Sequence, residues 1–338
     1  MTQVTVREYH LRRRPVGTPT PDDFELVSRS LPEPGPGEVL VRNEFLSVDP
    51  YMRGRMSDAK SYVPPYALGA PMDGGAVGRV EASSHPDFSA GDLVFSMMGW
   101  REGFLSDGKG LTRIDPALGP PQAFLSTLGM PGLTAYAGLL EVGKLGQGET
   151  VLVSGAAGAV GMVVCQIAKA RDCRVIGVVG SDHKAEWLKR TAGVDVTVNY
   201  RTAGSLHKAI AAAAPDGIDL TFENVGGEHL EAALACSRTF ARVVICGLIA
   251  HYNATEPPPG LRNVRHILTR RLTVRGFIVL DHHGLREDFL RDMAAWMAAG
   301  RMRSTETIID GFTRMPEAFL GLFEGRNLGK MVVKAGAA

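Results

Sequence analysis

The chain has 338 residues, a length that corresponds to about two domains of ordinary size. Its charges nearly cancel, with 37 Lys and Arg against 36 Asp and Glu, and 45% of its residues are hydrophobic. This balance excludes a disordered chain, which needs low hydrophobicity and high net charge, and provides no general basic excess for binding nucleic acid. The 40 glycines are an excess that indicates tight turns and close approach of the backbone to a ligand.

The cysteines and the apolar segments indicate the cellular compartment in which the protein is expected. The four cysteines (Cys165, Cys173, Cys236 and Cys246) form no CxxC pair, so neither a disulfide framework nor a zinc ribbon is expected. The N-terminus lacks the pattern of a secretory signal, and the longest uncharged apolar stretch, 151–167, is interrupted by three glycines. We therefore expect a reduced, cytoplasmic protein without a membrane partner.

The first part of the chain has the pattern of a small, mostly antiparallel β domain. Short segments of alternating apolar residues lie between clusters of Pro and Gly, at 39–45, 78–82 and 92–96. Short strands separated by such turn residues are typical of antiparallel sheets.

The pattern changes near Leu128, and from Val151 onward apolar strands alternate with helix-like segments. The expected strands cover residues 151–154, 174–179, 196–200, 219–223, 241–246 and 272–279. The expected helices between them cover residues 160–171, 182–191, 205–214, 228–235 and 263–270. Apolar strands joined by crossover helices predict an α/β fold with a doubly wound parallel sheet.

The C-terminal part is expected to return to the first domain. A longer helix at 285–299 precedes a strand, a helix and a strand at 307–309, 316–323 and 330–333. The predicted domains are therefore residues 1–128, rejoined by 305–338, and residues 129–304.

A glycine-rich turn follows the first strand of the α/β region. Gly155, Gly158 and Gly161 are spaced as GxxGxxG and lead directly into the helix at 160–171. Such a turn brings backbone N–H groups and a helix N-terminus against the pyrophosphate of a dinucleotide. A tight turn without a ligand would contain the same glycines, but the series of strands and helices that follows favours a Rossmann-type nucleotide site.

The residues after the second strand bear on the type of dinucleotide. An NAD site usually has an acidic residue there for the ribose 2′-OH, whereas Val179 is followed by Gly180 and Ser181. Ser181 and Lys184 are suited to a 2′-phosphate, which would also offset the unfavourable position of a lysine in the first turn of a helix. Asp182 facing a ribose hydroxyl and a solvated Lys184 are the alternatives. We expect NADPH rather than NADH.

Taken in order, the motifs resemble the zinc-independent medium-chain dehydrogenase/reductases. The matching branch contains the prostaglandin reductases (leukotriene B4 12-hydroxydehydrogenases) and the NADPH-dependent alkenal, enone and curcumin double-bond reductases. The resemblance covers nearly the whole chain and is carried by SVDPYMRGRM (47–56), GGAVGRV (74–80), FSAGDLV (88–94), LGMPGLTAYAGLLEVG (128–143), the segment 148–184, DGIDLTFENVGGE (216–228), ARVVICGLIAHYN (241–253), RGFIV (275–279) and EGRNLGKMVVK (324–334). It implies a mostly β GroES-like catalytic domain, a Rossmann domain that binds NADP(H), and a homodimer.

The resemblance also implies site residues. Tyr252 matches the tyrosine that reaches the substrate carbonyl, Tyr51 matches a pocket tyrosine, and Asp73 stands beside the substrate cleft where relatives often have Arg or another residue. The implied cofactor contacts, with Ser181 and Lys184 at the 2′-phosphate, are Ala157, Gly158, Ala159, Val160, Gly161, Tyr200, Asn224, Cys246, Gly247, Leu248, Ile249, Tyr252, Phe277, Ile278, Val279 and Asn327.

The histidines and Ser154 argue against two classes of enzyme, zinc dehydrogenases and serine hydrolases. Only His10 and His85 are soft ligands in the first 164 residues, so no zinc is expected, and Ser154 lies in VSGAA rather than in a GxSxG elbow of a hydrolase. Another group must therefore stabilise the oxygen of an enone when hydride reaches its β-carbon, and the hydroxyl of Tyr252 is the candidate. A packing role is the alternative for Tyr252. The proton for the α-carbon comes from Tyr252 or from water.

The expected substrate is a small apolar enone or enal. Trp100, Met97 and Met98 are candidates for an apolar substrate slot, with core packing as the alternative. Two further functions stay open, an NADPH quinone reductase of the same fold and a non-catalytic homologue that binds NADPH.

Overall fold

A computed structural model describes residues 3–336 of the chain. Its strands are β1 (Val4–Leu11), β2 (Phe24–Leu31), β3 (Val39–Ser47), β4 (Ala76–Ser83), β5 (Leu93–Ser96), β6 (Gly103–Ser106), β7 (Thr112–Arg113), β8 (Thr150–Val153), β9 (Arg174–Val179), β10 (Val196–Asn199), β11 (Ile218–Glu223), β12 (Ser237–Ile245), β13 (Thr273–Gly276), β14 (Glu306–Asp310) and β15 (Lys330–Lys334).

The helices are α1 (Met52–Arg55), α2 (Met130–Tyr136), α3 (Ala159–Ala170), α4 (Asp182–Ala192), α5 (Leu206–Ala213), α6 (Gly227–Cys236), α7 (Arg265–Thr269), α8 (Arg286–Ala298) and α9 (Met315–Phe323). A π-helical segment, Ala137–Val142, continues α2. Short 3₁₀ turns lie at Pro21–Asp23, Pro116–Leu118, Pro121–Leu125, Ile249–His251, Val279–Leu285 and Phe312–Arg314. Within the described part of the chain, no helix is both long and apolar enough to span a bilayer.

The chain divides into two units. The first contains the chain up to Leu125, Glu306–Arg326 and the chain from Met331 onward, and the second contains Ser126–Thr305 and Asn327–Lys330. The sequence predicts residues 1–128 and 305–338 in the first domain, whereas residues 126–128, 305 and 327–330 belong to the second unit. The reason is local pairing, because the Gly329 N–H donates to the Ala157 carbonyl at 2.9 Å and the Lys330 N–H donates to the Thr305 carbonyl at 3.0 Å.

The second unit is built on a six-stranded parallel sheet in the order β10-β9-β8-β11-β12-β13. The doubly wound parallel sheet expected from the sequence is confirmed, and all six expected strands are present. β12 begins at Ser237 rather than at Ala241, and β13 ends at Gly276 because the chain then enters a 3₁₀ turn. The order reverses direction between β8 and β11, and the crevice at the carboxyl ends of such strands is where doubly wound sheets bind ligands.

The core of this unit follows from its apolar strands. Leu152, Ile176 and Val178 are almost completely buried, and they cluster with Ile210 of α5 and Ala233 of α6. Strands that are apolar on both faces need helices to cover them, which is why this sequence alternates strands with helices.

The first unit is a mostly antiparallel β structure. Its main sheet has the order β14-β15-β3-β4-β5-β7, and β6 also pairs with β3. The hairpin β1–β2 forms a separate two-stranded ladder that the sequence patterns did not predict. The strand residues of β2 alternate poorly between polar and apolar, since six of its eight residues are exposed or half-exposed.

Candidate active site

The glycine-rich turn of the second unit forms a cradle without side chains. Gly155 has a φ of 58°, a conformation that favours glycine, and a Cβ at Gly161 would lie 2.4 Å from the Gly155 carbonyl oxygen. Gly158 is the N-cap of α3, and no side chain caps this helix. The N-terminal N–H groups of α3 are therefore directed at a space that suits an anion such as pyrophosphate.

The returning segment of the second unit lies against this turn. The backbones of Gly158 and Gly329 form an isolated β-bridge, and the Asn327 Nδ2 donates to the Gly329 carbonyl at 2.7 Å. Asn327 is buried within this arrangement. The structure thus places Asn327 close to Ala157 and Gly158, and its closing over the cofactor stays a prediction.

A buried carboxylate joins the two central strands at the crevice. Glu223 Oε1 accepts hydrogen bonds at 2.7 Å from the Ser154 hydroxyl, the Val225 N–H and the Gly226 N–H. The Asn224 N–H donates to Ser154 Oγ at 2.8 Å, and the Asn224 amide nitrogen donates to the Ser154 carbonyl at 2.7 Å. Burial raises the pKa of Glu223. This network fixes Asn224, which the sequence analysis assigned to the cofactor site.

The loop after β12 is hydrogen-bonded to the backbone of Glu223. The N–H groups of Cys246 and Gly247 both donate to the Glu223 carbonyl, at 2.9 and 3.1 Å. Burial, with a smaller effect from the Glu223 charge, raises the pKa of the Cys246 thiol to about 12, so this thiol stays protonated and is no nucleophile. The Ile249 N–H donates to the Asn224 carbonyl at 3.3 Å.

Tyr252 lies on this loop and turns back over it. Its hydroxyl accepts a hydrogen bond from the Leu248 N–H at 3.5 Å. It also lies beside Gly247, where an added Cβ would be 3.3 Å from the hydroxyl oxygen. Burial raises the pKa of Tyr252, so the hydroxyl keeps its proton at neutral pH. The group is therefore a neutral donor at the carboxyl edge of the sheet.

The end of the second strand carries the predicted 2′-phosphate residues. Ser181 is the N-cap of α4, and its Oγ accepts from the Lys184 N–H at 3.3 Å. Burial and the charge of Arg201 lower the pKa of Lys184. Asp182 was the alternative candidate for a contact with a ribose hydroxyl. Its carboxylate accepts a hydrogen bond from Asn199 Nδ2 at 2.8 Å.

Arg201 is a candidate site residue that the sequence patterns did not single out. Its guanidinium lies 5.8 Å from the centre of the Tyr200 ring, and its Nε donates to the Tyr200 hydroxyl at 3.4 Å. Tyr200 covers Gly180, since a Cβ there would lie 3.1 Å from the tyrosine ring. Among residues 3–336 neither Lys184 nor Arg201 has a carboxylate partner, so the two cations form a site suited to a phosphate. A basic residue directly after the third strand was the available signal.

His229 is a second residue that the sequence did not single out. Its ring lies 5.0 Å from the Tyr200 ring, centre to centre, and its buried Nδ1 has no hydrogen-bond partner. Burial lowers the pKa of His229 to about 4, so the ring is neutral near pH 7. His229 thus packs edge-on against Tyr200, which lies beside the predicted 2′-phosphate residues.

The segment after β13 contributes the remaining predicted contacts of this unit. Phe277 lies 6.3 Å from Phe222 and 5.9 Å from His282, centre to centre, and Ile278 and Val279 are half-buried beside it. All predicted cofactor residues of this unit therefore lie on segments that follow the carboxyl ends of its strands or on Asn327–Lys330. Their glycine cradle, uncapped helix and unpaired cations fit a dinucleotide with a 2′-phosphate.

Two predicted substrate residues lie in the first unit. Trp100 is completely buried, stacks on Phe24 at 5.4 Å and meets Tyr9 and Phe319 edge-on, so it is a core residue and we leave it out of the substrate site. Tyr51 lies directly before α1, and burial raises its pKa well above the usual range. Its role as a pocket tyrosine stays a prediction.

Comparisons with known proteins place the chain in a family. One family model, described as the N-terminal domain of oxidoreductase, matches residues 7–114, and another, described as zinc-binding dehydrogenase, matches residues 159–299. Prostaglandin reductase 1 of Rattus norvegicus is 44% identical over 98% of this chain and 100% of its own length. The NADPH-dependent curcumin reductase of Escherichia coli (strain K12) is 41% identical over 97% of this chain and 96% of its own.

A solved structure agrees with these relatives. CurA from Vibrio vulnificus in complex with NADPH is 42% identical to this chain, with a TM-score of 0.92, over 98% of this chain and 100% of the other. The chain is thus an oxidoreductase of two-unit architecture. It belongs to the medium-chain dehydrogenase/reductases, in the branch of the prostaglandin, curcumin and alkenal reductases, as the sequence motifs indicated.

The second family description names zinc. Within residues 3–336, the structure brings no three His, Cys, Asp or Glu side chains together as a group that could hold a metal ion.

Proposed function

We propose that the protein uses NADP(H) to reduce the C=C bond of α,β-unsaturated ketones and aldehydes. The observation that carries the proposal is the half-buried, protonated hydroxyl of Tyr252, held over the Gly247–Leu248 turn at the carboxyl edge of the parallel sheet. Relatives named curcumin reductase and prostaglandin reductase support the substrate class.

The cofactor is NADP(H), and the residues of the second unit are suited to each part of it. Ala157, Gly158, Ala159, Val160 and Gly161 would hold the pyrophosphate through backbone N–H groups. Ser181, Lys184 and Arg201 would hold the 2′-phosphate, with Tyr200 beside it. The rest of the dinucleotide would lie along Asn224, Cys246, Gly247, Leu248, Ile249, Phe277, Ile278, Val279 and Asn327.

When bound, NADPH supplies the hydride that adds to the β-carbon of the substrate. The task of the chain is to stabilise the negative charge that develops on the substrate oxygen. Tyr252 performs it by donating its hydroxyl as a hydrogen bond to that oxygen, since a phenol is protonated at neutral pH and burial raises its pKa further. Its present partner, the Leu248 N–H, is a donor, so the hydroxyl hydrogen is available to a substrate. The resulting enolate takes a proton at its α-carbon from Tyr252 or from water, which completes the saturated product.

The test uses the purified protein, NADPH and a medium-chain enone, with the product identified by mass spectrometry. We expect a saturated ketone, and we expect Tyr252→Phe to lower kcat about a hundredfold, the size of effect seen when one oxyanion donor is removed. The affinity for NADPH, measured by its fluorescence, should change less than about twofold because the phenyl ring is kept.

Tyr136→Phe is the matched control, because Tyr136 donates its hydroxyl to Asp292 at 2.7 Å and belongs to no predicted contact. It should leave kcat unchanged. Unchanged turnover in Tyr252→Phe would show that Tyr252 is not the donor, and an allylic alcohol as product would mean carbonyl reduction. Activity on quinones but not enones would favour a quinone reductase, and NADPH binding without any turnover would favour a non-catalytic homologue.

We also infer that the protein forms a homodimer through the edge strand β13. All four residues of Thr273–Gly276 are exposed, and β13 has β12 as its neighbour in the sheet order. Exposed apolar side chains lie around this edge, including Val274 and Leu268. An exposed strand edge flanked by apolar groups is suited to pairing with a second copy.

A further inference from the structure

Asp73 holds two arginine side chains at once in the first unit. Its Oδ2 lies 3.5 Å from Arg55 Nη2, and its Oδ1 lies 3.4 Å from Arg101 Nη2. The carboxylate side chain is 45% exposed, whereas the side chains of Arg55 and Arg101 are only 13% and 9% exposed. Asp73 is therefore the solvent-facing end of a network whose cations lie beneath it.

The two guanidinium groups do not depend on Asp73 for their positions. Arg101 also donates to the carbonyls of Gly99 and Met72, both at 3.2 Å. Arg55 donates from Nε to the Pro64 carbonyl at 3.0 Å and lies 4.0 Å from the centre of the Tyr66 ring. Removing the charge of Asp73 would thus leave two fixed cations with donor groups facing the space that the carboxylate now occupies.

This network adjoins the tyrosine that the proposed function assigns to the substrate. Arg55 lies on α1, which begins directly after Tyr51, and its charge acts on the Tyr51 hydroxyl. Tyr66 belongs to the same group, since its hydroxyl donates to the Asp73 backbone carbonyl at 2.6 Å. Asp49, Tyr66 and Arg55 all act electrostatically on the Tyr51 hydroxyl, and Tyr66 and Arg55 connect Tyr51 to Asp73.

We propose that Asp73 is a specificity-determining residue that makes the protein select neutral enones over enones with an acidic group. This inference rests on the proposed function, because it takes Tyr51 as a substrate contact. The carboxylate occupies one Nη2 donor of each arginine, which would otherwise be available to a substrate carboxylate, and it repels an acidic group that approaches from solvent.

The experiment compares wild type with Asp73→Asn, which keeps the size of the side chain and removes its charge. Binding of octanoate and of methyl octanoate to the NADP⁺ complex is measured by calorimetry, because neither ligand is reduced. We expect wild type to bind octanoate about tenfold more weakly than the ester, and Asp73→Asn to strengthen octanoate binding about tenfold with the ester unchanged.

Glu81→Gln is the matched control. Glu81 accepts from Arg42 Nε at 3.1 Å, and its side chain is 43% exposed, so the same charge is removed from a similar surface pair on β4. It should change neither affinity. Equal binding of acid and ester by wild type overturns the proposal without any variant, and so does an Asp73→Asn protein that gains affinity for both ligands or for neither.

A parallel activity assay separates this proposal from the proposed function. An enone that ends in a methyl ester and the corresponding free acid are offered with NADPH. If neither is reduced by wild type, the reductase proposal fails, while the octanoate measurement still decides the role of Asp73. If both are reduced, kcat/KM for the acid should rise about tenfold in Asp73→Asn and that for the ester should stay within about twofold.

Discussion

The Ser154 hydroxyl donates to Glu223 Oε1 at 2.7 Å, and this bond joins the carboxyl ends of β8 and β11. These are the two strands between which the sheet order reverses. The same serine oxygen accepts from the Asn224 N–H, so one hydroxyl links the strand before the glycine-rich turn to the loop that carries a predicted cofactor contact. The geometry of the crevice therefore depends on a buried polar pair.

Ser154→Ala should destabilise the protein by about 2 kcal/mol. The change removes one of three donors from a buried carboxylate and leaves the buried Asn224 N–H without its acceptor, and each such loss costs about 1–3 kcal/mol. Urea unfolding followed by far-UV circular dichroism measures it. NADPH affinity should fall as well, because Asn224 loses one of its two hydrogen bonds to residue 154 and keeps only the bond to the backbone carbonyl.

Thr221→Val provides the control for this prediction. Thr221 is on the same strand as Glu223 and is completely buried, but within residues 3–336 its hydroxyl has no hydrogen-bond partner. Valine has the same shape and removes an unsatisfied buried oxygen, so stability should stay level or rise. If Thr221→Val were as damaging as Ser154→Ala, the loss would reflect packing in β11 and not the hydrogen-bond network.

Gly161→Ala should weaken the phosphate turn strongly. The added Cβ would lie 2.4 Å from the Gly155 carbonyl oxygen and 2.9 Å from Ala156 Cα, which are backbone atoms that cannot rotate away. We expect a loss of about 2–3 kcal/mol in unfolding free energy and a clear rise in the Kd for NADPH. Gly260→Ala, where a Cβ meets nothing within 4 Å, should change neither quantity. A fully active, stable Gly161→Ala protein would contradict the close-approach argument.

Lys184→Ala and Arg201→Ala should each weaken binding of NADP⁺ about tenfold and of NAD⁺ hardly at all, because each removes a charge-assisted contact to the 2′-phosphate. Calorimetric titration with both dinucleotides measures the ratio. Burial and Arg201 lower the pKa of Lys184, so the preference should decline as pH rises, and Arg201→Ala should move that decline to higher pH. Lys189→Ala, which changes a lysine paired with Glu186 on α4, is the control. Equal losses for both dinucleotides would refute the 2′-phosphate assignment.

His229 should make the protein less stable in acid. Its folded-state pKa of about 4 lies below the ordinary 6.5, so above pH 6.5 the ring is neutral in both states and contributes no pH dependence. As pH falls from 6.5 to 4, the unfolded chain binds a proton that the folded chain does not, and about 3 kcal/mol of stability is lost. Unfolding free energies at pH 7 and pH 4.5 measure this loss. His229→Phe, which keeps the aromatic contact with Tyr200, should reduce it, while exposed His283→Gln should not.

The sequence predicts the parallel sheet well because its strands are apolar on both faces and its helices lie between them, so local pattern and topology agree. It does not predict β2, where the exposed polar residues of FELVSRSL conceal the strand. Nor does it predict the bond between Ser154 and Glu223, which are 69 residues apart and meet only when β8 and β11 pair. Trp100 shows a different limit. The sequence alone does not distinguish an aromatic residue that lines a substrate slot from one that packs in a core, and only the neighbouring residues in the structure decide between them.

The predicted homodimer can be tested at β13. Val274 is 40% exposed on a strand whose four residues all face solvent, so a lysine there should place a charge at the paired edges and prevent association. Sedimentation velocity should give twice the 36.2 kDa chain mass for wild type and a single chain mass for Val274→Lys. Val16→Lys, at an 88% exposed valine of the first unit, should leave the dimer intact. A dimeric Val274→Lys protein would move the interface away from this edge, and a monomeric wild type would remove the homodimer from the proposal.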